Sequence, residues 1–213
     1  MKFRVPITFD AVDETDANAI VKALLAVMQD HGVKPKAGPV VDAIASEEGV
    51  IVIYTDGGCD LKKDGLGAWA YLIEMPDGTT KEASEPFIGT TNNRMEMMAV
   101  IKALEGLEFG PPIKVVADSE YVIKGVTQWS RNWIRNGWRT RDGKPVVNKD
   151  LWEQLIALYQ LHAVTFEHVK GHTGHPGNEH VDSLCTASMQ EAHKAVLAGE
   201  DVPLDDGCMR IAA

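Results

Sequence analysis

Two short apolar runs, each followed at once by an aspartate, constrain this chain more than anything else in it. Val50-Ile51-Val52-Ile53-Tyr54 precedes Thr55-Asp56-Gly57-Gly58, and Ile113-Lys114-Val115-Val116-Ala117 precedes Asp118. Runs this short and this rich in β-branched residues read as strands, the first of them buried on both faces and ended by Asp56. Gly67 to Ile73, Thr80 to Phe87 and Val164 to Val169 read as further strands, with Pro76-Asp77-Gly78 as a hairpin turn. Helices are expected over 92–107, from Ser119 to Gly125, over 151–161 and over 179–197, where apolar residues recur at helical spacing. This order specifies an α/β domain. Its mixed five-stranded sheet is flanked by helices and joins an antiparallel hairpin to parallel strands.

That domain is expected to span residues 49–197, with 198–213 as a C-terminal tail. Residues 1–48 read as a small N-terminal α/β appendage. They show polar–apolar alternation over 2–9, an apolar stripe of Ile20, Leu24, Val27 and Met28, and a linker from Lys34 to Pro39. Five basic against eight acidic residues there argue against nucleic-acid contact. So small a core points instead to packing on the main domain, to a protein partner or to self-association with a second copy. No apolar run suits a membrane span, and no apolar stretch follows the basic start as in a secretory signal. Three scattered cysteines, Cys59, Cys185 and Cys208, suit a reducing, cytoplasmic setting.

The two strand-end acids leave buried strands at one edge of the sheet, where α/β proteins place their sites. Glu96 falls in the first turns of the helix opened by Thr91-Asn92-Asn93, and Asp182 near the start of the last helix. Carboxylates brought together repel unless cations intervene, and an all-oxygen set favours a hard ion such as Mg²⁺ or Mn²⁺. Mg²⁺ completes its shell with water and phosphate oxygens, which leads towards phosphoryl transfer. Position alone leaves an alternative open: turn-capping for Asp56 and Asp118, solvated helix surface for Glu96 and Asp182.

The residues around these acids carry a resemblance. Tyr54-Thr55-Asp56-Gly57-Gly58-Cys59, Thr90-Thr91-Asn92-Asn93-Arg94-Met95-Glu96, Asp118-Ser119-Glu120-Tyr121-Val122 and Val169-Lys170-Gly171-His172-Thr173-Gly174-His175-Pro176-Gly177-Asn178-Glu179 resemble, in order and spacing, the motifs of the bacterial ribonuclease H family. The likeness covers residues 50 to 193 and implies the ribonuclease H-like fold. It implies an endonuclease that hydrolyses the RNA strand of an RNA–DNA hybrid with two Mg²⁺ ions (Mn²⁺ as the alternative), leaving 5′-phosphate and 3′-hydroxyl ends. In that reading Asp56 bridges both ions, Glu96 and Asp118 complete the one beside the leaving oxygen, and Asp182 the one that activates water. His172 would assist proton transfer or product release, and Glu179 would tune the histidine or a metal-bound water. A zinc site from His172, His175, His180 and Cys185 is the alternative use of that region.

The resemblance also assigns substrate contacts. Gly57, Gly58, Asn92 and Asn93 would meet the minor groove and the 2′-hydroxyl, with N-capping by Asn92 as a compatible structural role. Thr91 and Asn148 match the pocket for a DNA-strand phosphate. Although the net charge is −10, Arg131, Arg135, Arg139, Arg141, Lys144 and Lys149 stand against Asp142 alone between Trp129 and Lys149. This segment resembles the family's basic protrusion, in which Trp129 and Trp133 would touch nucleic acid or form the protrusion's core. Asp60 to Gly65 and Gly89 depart from the family pattern, which affects contacts near the first motif and the phosphate pocket. Two rivals remain: another nuclease of the same superfold, and a hybrid-binding protein of weak or no activity.

Overall fold

The computed structural model describes residues 49–108, 110–171 and 174–209. Residues 1–48, and with them the expected appendage, lie outside the described residues. Five strands, β1 (Ile51–Asp60), β2 (Leu66–Glu74), β3 (Thr80–Phe87), β4 (Ile113–Ala117) and β5 (Val164–His168), form one sheet in the order β3-β2-β1-β4-β5. The first three strands pair antiparallel, while β4 and β5 add in parallel beside β1. The mixed sheet expected from the sequence is therefore present.

Alternation along β2 separates two cores. Trp69, Tyr71 and Ile73 face a large cluster under helix α1 (Asn92–Glu105), with α4 (Lys149–Leu161) packed on α1 in turn. Ala68, Ala70 and Leu72 face α5 (Pro176–Ala198), where Val181 and Cys185 meet them. Small residues on that face let the long helix lie close to the sheet. The strand closed in on both faces is thus β2, not β1. Burial along β1 alternates, with Ile51, Ile53 and Thr55 buried and Val52, Tyr54 and Asp56 half-buried.

β1 also runs past Asp56 to Asp60, because its ladder with β2 continues through Gly57↔Trp69 to Asp60↔Leu66. The expected helix after Asp118 is short: α2 (Glu120–Lys124) widens into a π-helical turn, Gly125–Trp129, before α3 (Ser130–Arg135). Gly125 lies against the Trp152 ring, which a Cβ would approach to 2.0 Å. α5 starts at Pro176, whose missing N–H costs nothing at a first turn, and ends at Gly199 in the left-handed region at φ 76°. Beyond it the chain returns to the domain. Ile88 donates to Pro203 O (2.8 Å), Asp205 donates back to Ile88 O (3.0 Å), and a last short helix, α6 (Asp206–Met209), follows. No helix among the described residues is long and apolar enough to cross a membrane.

Candidate active site

Strand register sets the first two acids side by side. The parallel ladder of β1 with β4 ends at Thr55↔Ala117, so Asp56 and Asp118 are the next residues of neighbouring strands. Asp56 is therefore a ladder-end residue with respect to β4, although its own strand continues. Glu96 arrives from α1. A Cβ at Gly57 would lie 2.2 Å from the backbone nitrogen of Glu96, so glycine there lets the helix rest directly on the strand. Thr55, Asp56, Glu96, Asp118 and Ser119 consequently line one small pocket.

The electrostatics of this pocket follow from that crowding. Burial, and then the Asp118 and Asp56 carboxylates, push Glu96 up to about 7, although the Ser119 hydroxyl donates a hydrogen bond to it and pulls the other way. Ser119 also caps α2, its Oγ accepting from Val122 N at 3.3 Å. Asp182 is half-buried in the second turn of α5. Burial, with Asp56 and Asp182 adding to it, pushes the Cys185 thiol up to about 12, so both carboxylates act on the β1–α5 side of the sheet. Gly171 passes so close over Asp118 that a Cβ would stand 2.6 Å from Oδ2. His172, the next residue, lies outside the described residues.

As the side chains stand, no group of three or more His, Cys, Asp or Glu among the described residues is gathered tightly enough to hold an ion. The donor set nevertheless fits a hard divalent cation. It is all oxygen, it converges on one pocket, and mutual repulsion already raises one member's proton affinity. Among the described residues, the members of the zinc alternative do not converge. His180 pairs with Glu82 at 2.6 Å on the edge strand, His175 lies against the Tyr54 ring, and Cys185 is buried and donates to Ala68 O.

Thr91, not Asn92, caps α1: its Oγ accepts from Arg94 N at 3.4 Å, and Asn92 is already helical. That leaves the amides of Asn92 and Asn93 exposed. The space beside Gly57 is filled by α1 and that beside Gly58 by Met189 and Cys185. Glycine is thus required at 57, where α1 backbone leaves no room for a Cβ, whereas at 58 a Cβ would come no closer than 3.3 Å, to the far end of Met189. Trp129 and Trp133 are half-buried and stack in a chain with Trp152 (5.7 and 5.2 Å between centroids), forming a core for the protrusion. Arg131, Arg135, Arg139 and Arg141 are exposed. Asn148 is buried in the left-handed region (φ 59°), and Glu179 is exposed in the first turn of α5.

The sequence reading gave no role to Arg94, Ser119 or Asp205. Arg94 is buried and forks onto Asp205 (2.7 and 2.9 Å) and Asp150 (3.1 and 2.9 Å). Burial opposes its charge, but the two carboxylates more than offset this and raise its proton affinity. Arg94 stands between exposed Asn93 and buried Met95 in the first turn of α1, and nothing in the sequence named Asp205 as its partner.

A family model described as RNase H matches residues 48–190. The chain is similar to the ribonuclease H of Thiobacillus denitrificans, 48% identical over 68% of this chain and 97% of the relative. It is also similar to that of Paracoccus denitrificans, 47% identical over 68% of this chain and 96% of the relative. Among solved structures, LC9-RNase H1, described as a type 1 RNase H with the type 2 active-site motif, superposes with a TM-score of 0.60 at 26% identity, covering 70% of this chain and 75% of that one.

Proposed function

The chain belongs to the ribonuclease H family, and on that premise we propose that it hydrolyses the RNA strand of RNA–DNA hybrids with two divalent ions, leaving 5′-phosphate and 3′-hydroxyl ends. The observation that carries this reading is the pocket itself: Asp56 and Asp118 at the end of one parallel ladder, with Glu96 held over them. Asp56, Glu96, Asp118 and Asp182 would hold the ions, Mg²⁺ by the hardness of the donors. Bound there, the pair supplies charge stabilisation for the entering and departing oxygens of an in-line displacement.

The chain's own residues do the rest. Ser119 orients the Glu96 carboxylate. Exposed Asn92 and Asn93, with backbone groups at Gly57 and Gly58, face the position of a ribose 2′-hydroxyl. Thr91 and Asn148 receive a phosphate of the DNA strand, and the exposed arginines around α3 with Trp129 and Trp133 carry the duplex. His172 would assist proton transfer or product release, and Glu179 would tune that histidine or a metal-bound water.

Cleavage of matched RNA–DNA, RNA–RNA and DNA–DNA duplexes, with Mg²⁺ and with EDTA, tests the assignment. Only the RNA strand of the hybrid should be cut, only with metal, and not by Asp56→Asn. Full cleavage by that variant would remove the mechanism, and cleavage of the DNA duplex would favour another nuclease of this fold.

A further inference from the structure

Outside the acid pocket, the most deeply buried ion pair joins the C-terminal segment to the first turn of α1. Arg94 and Asp205 are 2% and 5% exposed. Asp205 lies past the matched residues 48–190. It takes two hydrogen bonds from Arg94 and one from the Thr90 hydroxyl (2.7 Å). Gly207 closes over the same guanidinium, where a Cβ would stand 2.1 Å from Nη2. A buried ion pair is weak evidence of added stability, so what it orients matters more.

Besides its two carboxylates, the Arg94 guanidinium holds one further side chain. Arg94 N donates to Thr91 Oγ, so that hydroxyl keeps its own hydrogen for another acceptor. Arg94 Nη1 faces Asn148 Oδ1 at 3.5 Å. A guanidinium carries donors only, so it selects the amide oxygen and turns the NH₂ away. One hydrogen of that NH₂ goes to Tyr121 Oη (3.4 Å), and the second is available to a ligand. The amide held by the guanidinium thus offers a donor beside the Thr91 hydroxyl, which the helix cap leaves with its hydrogen free, and two such donors suit a phosphate oxygen.

We propose that Asp205 is a positioning residue for the DNA-strand phosphate subsite: by locking the Arg94 guanidinium it turns the Asn148 NH₂ towards the phosphate that the Thr91 hydroxyl also meets. The proposal rests on the hybrid-cleaving function above. It makes the segment after α5 part of the substrate grip.

The test is steady-state cleavage of an RNA–DNA hybrid by the full-length chain, its Asp205→Asn variant and its Gly207→Ala variant. Each is assayed on hybrids carrying a neutral methylphosphonate at successive DNA-strand linkages. Gly207→Ala keeps every charge but puts a Cβ 2.1 Å from Arg94 Nη2 and 2.5 Å from Asp150 Oδ2, so it shifts the guanidinium without removing Asp205 and remains informative should Asp205→Asn fold poorly. We expect KM to rise about tenfold with kcat nearly unchanged, the scale of one lost hydrogen bond to a charged group. At the linkage where methylphosphonate weakens the wild type, the variants should lose nothing further. An unchanged KM in a folded variant, or losses that add in full to that of the methylphosphonate, overturns the positioning role. A wild type that leaves the hybrid uncut removes the function and this proposal together, whereas cleavage by the wild type with unaltered variants removes this proposal alone.

Discussion

Replacing Glu96 by glutamine keeps the side chain's shape, removes its charge and leaves an oxygen for the Ser119 hydroxyl. Burial, then Asp118 and Asp56, hold this carboxyl at about 7 against an ordinary 4.5. An acid raised in the folded state contributes its full stability only below the unfolded value, and that stability is lost as pH rises through the folded one. Above neutrality the loss corresponds to about 3 kcal/mol, at about 1.4 kcal/mol per pH unit. Glu96 is only half-buried, and solvent screening reduces the expectation to about 1–2 kcal/mol. In EDTA the variant should therefore match the wild type near the ordinary carboxyl value and exceed it increasingly towards mildly alkaline pH. A domain of this size gains about 2–4 °C in Tm per kcal/mol. Thermal unfolding followed by circular dichroism across that range measures the gap. Saturating Mg²⁺ should narrow it by stabilising the wild type. A variant that melts at or below the wild type in alkaline EDTA, or a gap that does not widen with pH, refutes the reasoning.

Gly57→Ala drives a methyl group into the α1 backbone. It should cost about 2–3 kcal/mol in urea unfolding and lower kcat by displacing Glu96. A fully stable, fully active alanine variant would mean that the helix does not rest on β1. Arg131→Ala with Arg135→Ala removes two exposed charges. The slope of log KM against log salt should fall in magnitude by roughly 1–2, with kcat kept; an unchanged slope would take the protrusion out of binding. Cys185, buried with its thiol pushed up to about 12, should resist thiol reagents until the protein unfolds, which peptide mapping after native labelling reads directly.

The fold was readable in the sequence wherever local chemistry decides it. β3 and β4 match their expected bounds, and the other strands and helices α1, α2, α4 and α5 were foreseen in order, because β-branched runs, helical spacing and proline stops act locally; the short helices α3 and α6 were not. The length of β1 was not readable. Gly57, Gly58 and Cys59 carry no strong strand preference, and only pairing with β2 keeps them extended. The π-helical turn at Gly125 was equally hidden, and the Trp152 ring against which Gly125 lies sits on a different helix. In the pocket, Asp56 and Asp118 were visible as strand-end acids. The position of Glu96 depends on a helix-on-strand contact that only Gly57 hinted at. Asp205 left no local sign, since an aspartate in a short acidic stretch acquires meaning only through Arg94, 111 residues away in sequence.

Net charge misleads for this chain because its charges are segregated by task. A pocket of clustered carboxylates repels the phosphodiester it is proposed to cut, and the −10 overall adds to that repulsion. Attraction must then come from a separate surface, and the exposed arginines around α3 are the densest positive stretch in the sequence. They stand on a segment whose Trp129 and Trp133 run through Trp152 into the main core, so the cationic face is anchored by packing and not by the acidic pocket. Arg94, in contrast, is neutralised by Asp150 and Asp205 and adds nothing to long-range attraction. Its proposed contribution is geometric, through the Asn148 amide. Grip by charge and grip by orientation are thereby assigned to different arginines, and salt should weaken the first while leaving the second intact.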